Sequence, residues 1–340
     1  MQYVDALVCS GPGRLQLESR PAPQPEIGQA LVRPRRVGVC GTDYHIFEGK
    51  HPFLDYPRVI GHELCVEILE VPADSALSAG EICVVNPYLS CERCGACRAG
   101  KPNCCVEISV LGVHQDGGMT GLLTVPVANL IPADGLTLDE GATVEFLSIG
   151  AHAVRRGGVS GRDRVLVVGA GPIGFGAAIF ARLTGAATII HDRDVERTAA
   201  AHALLGLDRI VADGDPSEAV RAYTGGDGFD VVFDATGNQQ AMEKGFEFVA
   251  HGGRYVLISV IKDTITFTDP DFHRKEMTLC GSRNATSEDF AHVIAAIRRG
   301  DVPAKRLITH RTSLAGAVDQ VPLWATEKAG LIKALIEIDS

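Results

Sequence analysis

Polar and apolar positions follow two different rhythms along this chain. In the second half, short unbroken apolar runs alternate with helical stretches. A β-rich run, Val165 to Val168, leads into GAGPIG and an Ala-rich helical stretch, and the apolar run Ala187 to His191, FDVVFDATG (229–237) and GGRYVLISV (252–260) come after it. Runs of this length and β-branched content predict buried strands of a parallel sheet, with helices covering both faces. MTLCGSRNATSEDF (277–290) predicts a further short strand, a polar turn and a helix continuing through HVIAAIRRG. The beginning differs in kind. In GPGRLQLESRPAPQPEIGQALVRPRRVGV (11–39), Gly and Pro break the apolar runs, which favours β structure over helix.

Composition sets the class. A chain of 340 residues, 46% hydrophobic and 22% charged, predicts a globular protein of two domains. A net charge of −10 argues against a polyanion partner such as nucleic acid, which needs clustered Lys and Arg. No apolar run approaches the ~20 residues of a membrane span. MQYVDALVCSGPGRL lacks the basic and apolar regions of a secretory signal. The expectation is therefore a cytoplasmic protein, in a compartment where clustered thiols read as metal ligands.

Half of the ten cysteines fall in CERCGACRAGKPNCC (91–105). Cys91, Cys94 and Cys97 at intervals of three supply three soft ligands from one loop, as a closed tetrahedral zinc site requires. The fourth comes from the doublet Cys104–Cys105. Adjacent side chains diverge, so one ligates and the other does not, and the spacing alone does not choose.

A second candidate centre lies upstream, in VGVCGTDYH (37–45) and PRVIGHELCVE (57–67). Cys40 and His62 are its ligand candidates. Asp43 is placed to orient the imidazole, and Glu63 to join or approach the metal. Downstream, RVLVVGAGPIGFGAAIFARLTGAATIIHDRD (164–194) sets a glycine turn between strand and helix, with a second strand ending on an acid. This is a dinucleotide fingerprint in its required context. Gly169 makes the turn, Gly171 admits the pyrophosphate, Gly174 allows close helix packing, and Pro172 and Ile173 open the helix whose N-terminus holds the anion. Asp192 accepts from the ribose hydroxyls and repels a 2′-phosphate, which predicts NAD even with Arg193 beside it. Ala235 and Thr236, after the fourth strand, reach towards the nicotinamide ribose.

Together these segments resemble the zinc-dependent medium-chain alcohol dehydrogenases along the whole chain. GVCGTDYH and GHE match the catalytic-zinc segments of that family. The cysteine lobe matches its structural-zinc pattern, which selects Cys105 and leaves Cys104 to pack as a small hydrophobe. VEFLSIGAHAV (144–154) matches the segment carrying a further carboxylate ligand, Glu145, with Phe146 in place of the customary proline. Val66 stands where the family usually has glycine.

The resemblance implies a GroES-like, mainly β catalytic domain at 1–150 and 285–340 around a doubly wound Rossmann domain at 151–284. It implies an active site in the cleft between them, two zinc ions per chain, NAD and a homo-oligomer, dimer or tetramer. The implied chemistry is reversible hydride transfer from a secondary alcohol, with zinc as Lewis acid and the proton leaving through Thr42, the cofactor ribose and His45. ISVLGVHQDGG (108–118), FDATGNQQAM (233–242) and FHRKEMTLCGSRNATSEDF (272–290) most resemble the L-galactonate 5-dehydrogenase group of the sugar-acid and polyol branch. Arg283, Asn284 and His114, with Lys50 and His51, are then the substrate-binding candidates, Arg283 for the carboxylate. A plain polyol dehydrogenase, an L-threonine-type dehydrogenase and a non-catalytic NAD-binding regulator with structural zinc are the competing readings.

Overall fold

The structure is a computed structural model that describes residues 2–51, 54–211 and 215–339. The chain divides into two compact units: Met1–Glu145 with Thr286–Gly300 and Ala304–Ser340, and Phe146–Ala285 with Asp301–Pro303.

The second unit holds the α/β pattern read from the apolar runs. Its six strands are all parallel, in the order Asp208–Ile210, Ala187–His191, Arg164–Val168, Phe229–Asp234, Val249–Leu257, Thr278–Gly281. Strand order reverses beside Arg164–Val168, and ligands bind at the carboxyl ends of strands at such a switch point. Leu166, Phe229, Val232 and Tyr255 are fully buried in its core. Helix Pro172–Leu183 starts with proline in its first turn, where no N–H partner is lost, and buries Gly174 to Ala181 as one apolar stretch. The fifth strand, read from the sequence as 252–260, begins at Val249 and ends at Leu257, and the third, Asp208–Ile210, which the sequence reading did not place, carries only one buried residue.

The first unit is built on β structure. Strand Gln29–Val39 is the spine of a seven-stranded mixed sheet, flanked by Glu63–Glu70 on one side and Lys333–Glu337 on the other. A second, three-stranded sheet joins Arg14–Pro21, Tyr3–Gly11 and Arg58–Val59. Val66 and Phe146, the two departures from the family pattern, are both fully buried, so each is held by packing. Among the described residues no helix is long and apolar enough to cross a membrane.

Candidate active site

Strand Gln29–Val39 ends at Cys40, where the chain turns into helix Gly41–Phe47. Nothing in the sequence pattern announces this seven-residue helix. Its start is fixed by Asp43, whose Oδ2 accepts from Cys40 N–H at 2.8 Å while Oδ1 accepts from Gly61 N–H at 3.1 Å. One fully buried carboxylate therefore clips together the segments that carry Cys40 and His62. That corrects the expectation for Asp43: it lies 3.9 Å from His62 Nδ1, beyond hydrogen-bond reach, and positions backbone instead. Burial raises its pKa, with His62 and the two backbone N–H groups pulling the other way.

The ligand atoms of Cys40, His62 and Glu63 lie within 4.8 Å of one another. Glu63 is not idle, since both its oxygens accept from Lys333 Nζ, at 2.6 and 2.7 Å. Glu145, outside that group of three, accepts from the Tyr88 hydroxyl through Oε1, while its buried Oε2 has no partner. Burial pushes Glu145 up to about 7, His62 pulls it down and Glu63 pushes it further up. His62 Nδ1 is also buried and unpartnered. Burial opposes a charge on this ring, but Cys40, Asp43 and Glu145 outweigh it and hold the imidazole well above its ordinary value. A thiol, an imidazole and a carboxylate gathered together, with a second carboxylate electrostatically linked to them and two orphaned polar atoms, fit a soft-to-borderline divalent cation.

The sequence reading missed Lys333 and Tyr88. Lys333 did leave a signal, a lone cation in the apolar run LIKALIEI. Tyr88, in NPYLS, left none.

At the cysteine lobe the sulfurs of Cys91, Cys94, Cys97 and Cys105 lie within 4.8 Å of one another. Cys91 N–H and Glu107 N–H both donate to Cys105 Sγ, at 3.2 and 3.4 Å, which stabilises a thiolate there. Cys105 is buried and Cys104 is exposed. The surplus thiol therefore faces solvent instead of packing as a small hydrophobe.

The glycine turn is shaped for an anion. Gly169 has φ +102°, and a Cβ there would sit 2.8 Å from the Ala235 carbonyl carbon. A Cβ on Gly174 would meet Gly169 O at 1.8 Å, so helix and turn pack backbone to backbone. A Cβ on Gly171 would meet nothing within 4 Å, in front of the free N–H groups of helix Pro172–Leu183. Pro172 and Ile173 form that helix's first turn. Asp192 is half-buried, and its Oδ2 accepts from Ala170 N–H at 2.7 Å, tying the acid to the turn. Arg193 is exposed. Ala235 N–H donates to Val168 O at 2.8 Å, and Thr236 donates through N–H and hydroxyl to Asp234, each at 3.0 Å.

Thr42 and His45 lie three residues apart on helix Gly41–Phe47, hence on one face, Thr42 half-buried and His45 exposed. His114 is exposed, and its Nδ1 accepts from Val110 N–H at 3.0 Å, so it braces its own turn. Lys50 pairs with Glu48 at 2.9 Å, and His51 is half-buried. Arg283 is exposed and Asn284 has φ +54°, in the turn between Thr278–Gly281 and Ser287–Arg298, on the unit that carries the glycine turn.

Residues 172–299 match the family described as zinc-binding dehydrogenase, and residues 26–135 match the alcohol dehydrogenase GroES-like domain. The chain is 42% identical over 338 residues to the L-galactonate-5-dehydrogenase of Escherichia coli, covering 99% of both chains. Among solved structures, an E. coli alcohol dehydrogenase in complex with NADH superimposes with a TM-score of 0.93 at 27% identity, over 98% of this chain and 99% of that one. A Sinorhizobium meliloti structure holding NADP reaches 0.90 at 26% identity, over 99% and 100%.

Proposed function

The chain belongs to the zinc-binding, GroES-like alcohol dehydrogenases, and from that premise we propose that it oxidises a secondary hydroxyl of an L-galactonate-like sugar acid to a ketone, reversibly, with NAD as hydride acceptor. The observation that carries the reading is the group of Cys40, His62 and Glu63, with His62 Nδ1 and the Oε2 of nearby Glu145 buried without a partner. Structural sites close their tetrahedron with four protein ligands, whereas catalytic ones keep a position open. The cysteine lobe is of the first kind and this pocket of the second.

Zinc, when bound, supplies Lewis acidity, of the sort that brings a bound water from a pKa of 15.7 to about 7. Cys40, His62 and a carboxylate would hold it, and Asp43 keeps the Cys40 and His62 segments in register. Thr42, donor and acceptor at once, takes the proton that leaves the substrate hydroxyl. His45, exposed on the same helix face, hands it to solvent. The glycine turn and its helix would hold the cofactor pyrophosphate, and Ala235 and Thr236 would serve the nicotinamide ribose.

Relatives holding NADH and NADP share this fold, so the choice of cofactor is local. Asp192 makes it here. Its carboxylate accepts from ribose hydroxyls and opposes a 2′-phosphate. Asp192→Ala is expected to shift the ratio of kcat/KM for NAD over NADP towards NADP by about 10- to 100-fold, the worth of a charge-assisted hydrogen bond. Because Asp192 also holds Ala170 N–H, KM for NAD should rise with it. A wild type that uses NADP better would overturn this assignment.

The proposed substrate carries a row of hydroxyls and one carboxylate, and a carboxylate buried without a cation is costly. Arg283 is the proposed partner. Kinetics should pair L-galactonate with galactitol, on wild type and on Arg283→Ala. The acid should be preferred, and the variant should lose about 10- to 100-fold on the acid alone. Equal efficiency on both by the wild type would replace the sugar-acid reading with a plain polyol dehydrogenase.

Two further parts of the proposal concern setting. A symmetric homo-oligomer is supported by strand Thr278–Gly281, which ends the parallel sheet with Leu279 exposed, an edge that a second copy would cover. A reducing, cytoplasmic setting is supported by the four sulfurs gathered in ligand geometry.

A further inference from the structure

We infer that Gly150 and Gly176 form a joint between two helices that positions the reacting groups for hydride transfer. The inference rests on the dehydrogenase reading above and adds to it two residues outside the metal pocket and the glycine turn. Helix Val144–Arg156 carries Glu145 in its first turn. Helix Pro172–Leu183 starts from the glycine turn, at Gly171. From Phe146 onward both helices belong to the second unit.

The two helices cross where neither has a side chain. A Cβ on Gly150 would lie 2.3 Å from Gly176 C and 2.5 Å from Ala177 N, so backbone already rests on backbone. A Cβ on Gly176 would meet Gly150 Cα at 3.5 Å, and Leu147 Cα and Phe146 O at 3.6 Å. Gly150 follows Leu147 by three residues and Phe146 by four, so the three share the helix face that makes this contact. From the joint to the cofactor turn the contacts stay side-chain-free. A Cβ on Gly174 would meet Gly169 O at 1.8 Å, and one on Gly169 would meet Ala235 C at 2.8 Å.

Backbone contact transmits what side-chain packing absorbs. A side chain takes up a small displacement by turning to another rotamer, and two helix backbones cannot. Nor can helix Val144–Arg156 swing towards solvent. Val144 to Ser148 and Gly150 to Val154 are all buried, as are Gly174 to Ala181 on its partner. At 1.5 Å of rise per residue, about 7.5 Å of rigid helix separates the joint from Glu145 on one side and from Gly171 on the other. A displacement at the joint therefore reaches both helix starts. Alanine at position 150 has to part the helices by more than about 1 Å before its carbon finds ordinary contact distance. A misplacement of about 1 Å that originates far from the chemistry costs about 100-fold in rate. Hydride transfer is the step that demands such geometry. Holding the metal or the cofactor is not.

Gly150 and Gly176 are thus positioning residues, and their test separates position from stability and from binding. Zinc-replete, full-length Gly150→Ala is mixed with NAD and whichever of L-galactonate and galactitol the wild type oxidises. NADH is followed in a single turnover and at steady state, with protium or deuterium on the carbon that is oxidised. Relative to wild type, kcat should fall by about 100-fold and its isotope effect should rise to that of the single turnover. KM for NAD and the NADH dissociation constant should stay within about threefold, with zinc content unchanged. The loss should follow the crowding. Gly176→Ala, whose Cβ finds its nearest neighbour at 3.5 Å, should lose less than about threefold. Gly176→Val loads the same joint from the other helix and should slow the same step by about 10-fold, which keeps the test open even where Gly150→Ala does not fold. A lowered melting temperature with wild-type kcat and isotope effect, in Gly150→Ala or, failing it, in Gly176→Val, would leave the joint purely structural and overturn the inference. So would a loss confined to NADH affinity, the mark of a support for the cofactor helix alone. A wild type that forms NADH from neither compound would instead overturn the dehydrogenase reading, and this one with it.

Discussion

His62→Ala is expected to lower kcat/KM for the sugar acid by at least about 1,000-fold, because the metal's share of transition-state stabilisation is several kcal/mol and each ~1.4 kcal/mol is tenfold. The loss should come without unfolding. His62 bonds to no structural partner through Nδ1, and the segments around it are tied by Asp43 to the backbone of Cys40 and Gly61. Zinc content separates the effects: the variant should retain the ion of the cysteine lobe and lose the catalytic one. Activity within tenfold of wild type would remove His62 from the machinery.

Cys94→Ser should act on the fold instead. Its sulfur is one of four at the lobe, and Sγ lies 3.4 Å from that of Cys97. Structural zinc contributes its binding free energy directly to folding. Losing a metal site belongs with the few changes that cost about 4 kcal/mol or more. At about 2–4 °C per kcal/mol for a domain of this size, the melting temperature should fall by roughly 10 °C. Cys104→Ser, at an exposed thiol outside the cluster, is the matched control and should melt like wild type. Equal melting of Cys94→Ser and Cys104→Ser would mean that the lobe holds no metal that matters to folding.

How much of this was legible in the sequence depended on how local each feature is. The parallel strands were legible because burial on both faces leaves unbroken apolar runs such as RVLVV, with all but Arg164 buried. Strand Asp208–Ile210 was not, since an edge strand with one buried residue has no such run. The glycine turn was readable because its demands, a positive φ at Gly169 and a backbone contact at Gly174, fall on neighbouring residues. Three of the lobe cysteines were fixed by spacing. The fourth, Cys105, was named by the family resemblance and not by spacing, because which of two adjacent side chains faces inward is a property of the folded loop. Lys333 shows the limit. Its partner Glu63 is 270 residues away in sequence, and only the pairing of three strands reveals why a lysine is buried there.

Reduction of NAD by L-galactonate, followed through removal and return of the catalytic zinc, tests the central claim most directly. NADH should form with the protein as purified, cease when a chelator has taken the ion held at Cys40 and His62 while the lobe keeps its own, and resume when zinc is restored. NADH formation that persists at full rate after the catalytic ion has gone, or no NADH from the acid in zinc-replete protein, would contradict it.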